Sequence, residues 1–244
     1  MHANLWQFLK ILRHPQNSIT LWVDAICINQ ENNEERSNQV SPMDSIYRGA
    51  ERVIVWLGDA ANRSDELLRW AASATLAAHT VVLPQAVQAA MERLSQREYW
   101  SRAWIVQECV LAREIKVYIG AESLDWDVLA RCSNLASLKY SHTLKNEGLE
   151  DLVADRHDLK VTPSFENPFY FWTTLVKARS DLHASYREIE QNEASSSTPM
   201  PFLELLVRFA RHECSVALDK SFALLPLASL VCRNARHNKS RDCR

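Results

Sequence analysis

The chain has 244 residues, of which 47% are hydrophobic and 9% aromatic, so it can bury a core and is not intrinsically disordered. Its 28 Lys and Arg against 30 Asp and Glu give a net charge of −2, which argues against nucleic acid as the main partner. There are only 4 glycines, where average usage predicts about 17, and no glycine-rich phosphate loop of the G-x-G-x-x-G or G-x-x-x-x-G-K-[ST] type occurs.

In chain order, Asn4 to Arg13 reads as a helix with Leu5, Phe8, Leu9 and Leu12 on one stripe, ended before Pro15. Ile19 to Val23 is β-branched, aromatic and apolar on both faces apart from Thr20, which predicts a buried parallel-type strand. After the polar stretch Asn29 to Asn38, a helix is expected from the spacing of Val40, Met43, Ile46, Tyr47 and Ala50. Arg52 to Leu57 is a second buried strand, stopped by Gly58-Asp59, and Ser64 is placed to cap the helix that follows. Another helix runs from about Pro84 to Leu94, then a nearly all-apolar one from Ser101 to Ala112. Ile115 to Ile119 completes a third strand. Strands alternating with helices predict a parallel sheet with crossover helices, an α/β fold. Beyond Gly120 the pattern is mainly helical, with a loop or linker at 192–198, helices over Phe202 to Arg211 and Asp219 to Cys232, and a basic, polar tail.

The six cysteines include no C-x-x-C pair, there is no H-E-x-x-H, and no metal site is expected. Cys27 and Cys109 lie in apolar runs and read as small core residues, Cys27 rather than as a nucleophile. The start of the chain has no uncharged apolar signal segment. The long uncharged run Trp70 to Ala90 contains His79, Pro84 and polar clusters, and reads as packed helices rather than a membrane span. Together these features predict a reducing, cytoplasmic setting and free thiols.

Three stretches, Leu21 to Ala60, Arg97 to Gly120 and, less strongly, Arg211 to Ser229, resemble the fungal heterokaryon-incompatibility (HET) domain. The run Asp24-Ala-Ile-Cys-Ile-Asn-Gln30, followed by Glu35-Arg36, Gln39-Val40, Met43 and Ile46-Tyr47, carries most of the likeness. The family's usual opening segment, of the type Y-x-A-L-S-Y-x-W-G, has no counterpart, so residues 1–120 are read as a HET domain truncated at its N-terminus. Residues 121–191 are then a helical extension, 192–198 a linker or loop, 199–232 a helical segment common after HET cores, and 233–244 the basic tail. HET domains are distantly similar to Toll-type (TIR) domains, which implies a mostly parallel, flavodoxin-like sheet flanked by helices. Some TIR domains cleave NAD with the glutamate of a W-C-x-x-E motif. Here Trp104 to Glu108 keeps the spacing, with Ile105 in place of the cysteine.

The resemblance implies nonself recognition in a filamentous fungus: an innate-immunity-like module that triggers or executes incompatibility-type programmed cell death. NAD would be a substrate and not a cofactor. Protein partners or self-association are expected, with neither nucleic acid nor membrane as partner. Glu108 is the candidate catalytic group, the only acid between Ala103 and Ala112, and a buried carboxylate must be paired, protonated or facing a cleft. Nicotinamide leaves NAD as a neutral base, so one carboxylate stabilising oxocarbenium-like charge suffices; the other reading is a buried ion pair with Arg102 or Arg36. Asp24 could bind a ribose hydroxyl at a strand's carboxyl end or simply cap the next turn. Asn29 and Gln30 offer amides to a nicotinamide or base edge, or form a turn, and Arg36 suits a phosphate or carboxylate. Trp104 is a candidate cleft wall. The competing possibilities are a non-catalytic, self-associating signalling module and an inactive truncated gene product. What discriminates them is whether Glu108 and Asp24 open onto one cleft.

Overall fold

The computed structural model describes residues 3–40, 42–61, 63–73, 83–146, 167–190 and 201–239. The chain opens with α1, Ala3–Leu12, on the predicted apolar stripe. Residues 19–23 follow without regular secondary structure and without a ladder partner, so the expected first strand is absent. Apolarity alone does not make a strand. Without a ladder partner the segment lies along one wall of a cleft, with Ile19 59% exposed and Leu21, Trp22 and Val23 half-buried. The single turn α2, Asp24–Cys27, leaves Cys27 exposed and puts Ile28 into the core, which corrects the reading of Cys27 as buried.

The helix expected after the polar stretch begins within it, as α3 at Asn33–Val40. Asn32 Oδ1 accepts the amides of Glu34 and Glu35 at 3.0 and 3.2 Å, a side-chain cap that the alternation of apolar residues could not reveal. Pro42 then separates α3 from α4, Met43–Gly49, where one continuous helix was expected.

Strand β1, Val53–Trp56, is followed by α5, Ser64–Ala72. Ser64 does not cap α5: Arg63 holds the cap position at φ 63, and Ser64 Oγ accepts the Ala61 amide at 3.1 Å. Helix α6, Gln85–Ser95, begins behind Pro84. A 3₁₀ turn at Glu98–Ser101 leads into α7, Ile105–Leu111, shorter than the helix expected from residue 101. Strands β2, Ile115–Ile119, and β3, Glu122–Asp125, form a hairpin across Gly120-Ala121. Gly120 takes φ 61, and a Cβ there would come within 3.0 Å of the Ala60 amide.

Strand order is β1-β2-β3, with β1 parallel to β2 and β2 antiparallel to β3. The sheet is therefore mixed, and the expectation of a mostly parallel, flavodoxin-like sheet is corrected. Strand β3 escaped the sequence reading because it has one apolar side chain, Leu124, which sits opposite Val117. Val53 and Val55 alternate inward while Ile54 and Trp56 face outward, where Phe8 of α1 stacks on Trp56 at 5.4 Å and meets Tyr118 edge-on at 5.6 Å.

The rest is helical: α8 at Trp126–Asn146, α9 at Tyr170–Glu190, α10 at Phe202–Arg208 and α11 at Ala217–Lys239. Helix α11 runs on through residues 233–239, which had been read as a tail; the expected linker at 192–198 lies outside the described residues. Trp100, Trp126 and Trp172 form the heart of the core, with Trp172 4.3 and 4.6 Å from the other two rings. Arg179 of α9 donates to the carbonyls of Cys109, Ala112 and Arg113 at 2.8, 2.6 and 3.1 Å, so a cation completes the C-terminal end of α7.

Pro226 within α11 has no N–H to offer the Phe222 carbonyl four residues back. Gln107 of α7 supplies the missing donor: its Nε2 bonds that carbonyl at 2.7 Å. The Ala103 amide also donates to Glu213 O at 2.8 Å. The second and third stretches of the family resemblance are thus tied by hydrogen bonds. No helix among the described residues is long and apolar enough to cross a membrane.

Candidate functional site

A cleft of about 610 Å³ opens beside the free edge of β1. One wall is α1 and the segment 19–23; the other is α4, and the entry to α7 closes one end. Asp24, Arg102 and Glu108 all line it, with Trp22, Tyr47 and Trp56 as aromatic surfaces. The two carboxylates therefore open onto one shared cleft, the arrangement on which the rival readings divide.

Glu108 stands in the first turn of α7 and accepts a hydrogen bond from the buried Tyr99 hydroxyl at 3.0 Å. The residue is half-buried, and its carboxyl is largely stripped of water. Burial raises its proton affinity above the ordinary carboxylate value. The Arg102 charge and the Tyr99 hydrogen bond work against that rise, and Asp24 adds to it. None of the ion pairs among the described residues involves Glu108. The expected buried ion pair with Arg102 or Arg36 is thus replaced by a neutral hydrogen bond and a cation acting at longer range. Tyr47 shares this field: burial, then Glu108 and Asp24, keep its phenol protonated far above its usual range, and Trp22 packs edge-on against it at 6.1 Å.

Asp24 does not follow a strand, because that strand is absent; it opens α2, and its Oδ1 accepts the Ala25 amide at 2.7 Å. Val23 holds the cap position of that turn and no side chain caps it, so Asp24 is not a cap; it lines the cleft. Asn29, Gln30 and Arg36 do not line the cleft, nor does Trp104. Asn29 is a turn former: its Oδ1 accepts the Glu31 amide at 3.2 Å, while Glu35 Oε1 accepts its own amide at 2.9 Å. The i, i+4 spacing of Trp104 and Glu108 is kept, but Trp104 sits at the N-terminal cap of α7, outside the cleft lining.

Sequence reasoning passed over Arg102, Tyr47 and Trp22 as cleft residues and Tyr99 as the partner of Glu108. Arg102 reaches the cleft because the chain leaves the 3₁₀ turn extended and pairs with Glu213, a tertiary bridge with no local signal. Chemically, the aromatic walls suit a planar ring, Arg102 suits an anionic group, and two carboxylates suit sugar hydroxyls or a developing positive charge. No group of His, Cys, Asp and Glu able to hold a metal ion occurs among the described residues.

The architecture defines a small mixed α/β unit with an acidic, aromatic-walled cleft beside its first strand. The family model described as heterokaryon incompatibility protein (HET) matches residues 1–108, ending at Glu108. A stretch of 56 residues is 46% identical to heterokaryon incompatibility protein 6, OR allele, of Neurospora crassa. That match covers 23% of this chain and only 8% of the relative. No solved structure matches the chain.

Proposed function

We propose that this protein acts in fungal nonself recognition, its HET segment triggering or executing incompatibility-type cell death by TIR-like cleavage of NAD in the cytoplasm. The observation that carries this reading is the meeting of Glu108, Asp24 and Arg102 in one cleft with aromatic walls. In this scheme Trp22 or Tyr47 stacks on the nicotinamide ring, Arg102 holds the pyrophosphate and Asp24 a ribose hydroxyl. Ionised Glu108 faces the anomeric carbon. The bond between that carbon and the nicotinamide nitrogen breaks, the electron pair leaves with neutral nicotinamide, and water adds to the oxocarbenium-like sugar with loss of a proton. Asn29, Gln30, Arg36 and Trp104, away from the cleft lining, have no part in it.

The second reading, a non-catalytic module that self-associates, draws on the Tyr99–Glu108 hydrogen bond and the raised proton affinity of Glu108, both of which suit a structural carboxyl. Incubating purified protein with NAD and measuring free nicotinamide separates the two. Nicotinamide release above the uncatalysed background supports cleavage. No release, from protein that is folded by its melt, overturns the enzymatic reading and leaves the signalling one.

A further inference from the structure

A second cleft, of about 670 Å³, lies between α8 and α9 where the chain leaves α7. It shares no lining residue with the acidic cleft. Arg113, Arg131, Arg179 and Arg187 line it together with His183, and Asp127 is the only carboxylate among the described residues that line it. In a chain of net charge −2, four guanidiniums around one acid is a local reversal of sign. None of the four belongs to an ion pair among the described residues. Arg179 faces the carbonyls that end α7, and Arg187 Nε donates to the His183 carbonyl at 3.3 Å, so their hydrogen bonds go to neutral oxygens, and Asp127 is the acid that acts on Arg179.

A concave wall lined by one sign of charge concentrates its field. His183 registers it: burial first, then the Arg179 charge, lowers its proton affinity, and its ring N–H is given to the Val110 carbonyl, so at pH 7 the neutral ring adds no charge to the cleft. Planar guanidinium forks match phosphate oxygens in pairs, and the volume falls within the range of small-ligand sites. We propose that this cleft binds a small, multiply phosphorylated ligand at a site separate from the acidic cleft. A single monoanion would leave most of the charge unmatched, whereas two or more phosphates balance it.

The probe is inorganic tripolyphosphate, followed by titration calorimetry on the full chain, with ATP as a parallel arm. Tripolyphosphate is expected to bind and to weaken as salt is raised. The variant R131E/R187E changes two exposed side chains that make no carbonyl contact with α7, and it should weaken binding at least tenfold while its melt and any NAD cleavage stay as in the parent. Equal binding of ATP assigns the site to the phosphate chain, and tighter binding of ATP assigns it to a nucleotide; either supports the proposal. If the double variant does not fold, R113Q/R131Q takes its place. The proposal is overturned by no binding of either probe at millimolar concentration, by binding the charge reversals leave unchanged, or by a short RNA oligonucleotide binding at this cleft in preference to both probes.

Discussion

Glu108 shows how one side chain can satisfy two demands. Its carboxyl is desolvated, which favours the protonated form, and it is held by a phenol and a nearby guanidinium, which favour the ionised form. If ionised Glu108 does the chemistry, cleavage rises with pH as the carboxyl loses its proton, and that rise lies above the usual carboxylate range because burial raises the pKa. Tyr99→Phe removes a hydrogen bond that favours the ionised form. The rising limb of the pH–rate profile should therefore move to higher pH, with the plateau rate little changed; a limb that stays in place shows that Tyr99 does not tune Glu108. The Trp-to-Glu spacing was legible because i, i+4 geometry is local. The cleft role of Arg102 was not, since only a contact with Glu213, more than a hundred residues away, sets the backbone there.

At the scale of elements, the sequence misled where partners were non-local. Ile19 to Val23 has a strand's composition, but a strand is a pairing and this segment has none. Glu122 to Asp125 has too little apolar character to announce itself, and pairing with β2 makes it a strand. The helices α1, α5 and α6 were readable because an apolar stripe at helical spacing is written within each one. The joint between α7 and α11 was illegible, because it consists of a proline in one helix and a glutamine in the other. Gln107→Leu leaves the Phe222 carbonyl with neither donor, and should cost about 1–3 kcal/mol by thermal or denaturant unfolding. Pro226→Ala restores a backbone N–H to α11, so in that background the cost of Gln107→Leu should shrink. Strictly additive effects would show that Gln107 is not standing in for the missing amide.

At the scale of the whole molecule, the packing of the C-terminal helices sets a pH limit. His212 is almost fully buried between Phe171 and Phe209, at ring distances of 5.0 and 5.1 Å, and neither ring nitrogen has a hydrogen-bond partner among the described residues. Burial, and then Lys220, pulls its pKa from 6.5 down to about 4. The folded state thus takes up a proton less readily than the unfolded chain. The stability this contributes is complete above pH 6.5 and is lost as pH falls through about 4. The full loss is about 3 kcal/mol. His212→Leu should flatten the fall in melting temperature between pH 7 and 4 relative to the parent, and equal slopes would contradict the assignment. The match to the HET family was legible in the sequence because it rests on a long, irregular run of residues; the mixed sheet and the second, basic cleft were not, because both arise from pairing and packing across distant segments.

The central claim is that the acidic cleft does chemistry through Glu108, and Glu108→Gln tests it. Gln can still accept the Tyr99 hydrogen bond, and no ion-pair partner is stranded, so the variant should melt with the parent. Its nicotinamide release from NAD, measured on the same preparation, should fall on the order of 10²–10³-fold. Release equal to the parent's from a variant that melts normally would contradict the account.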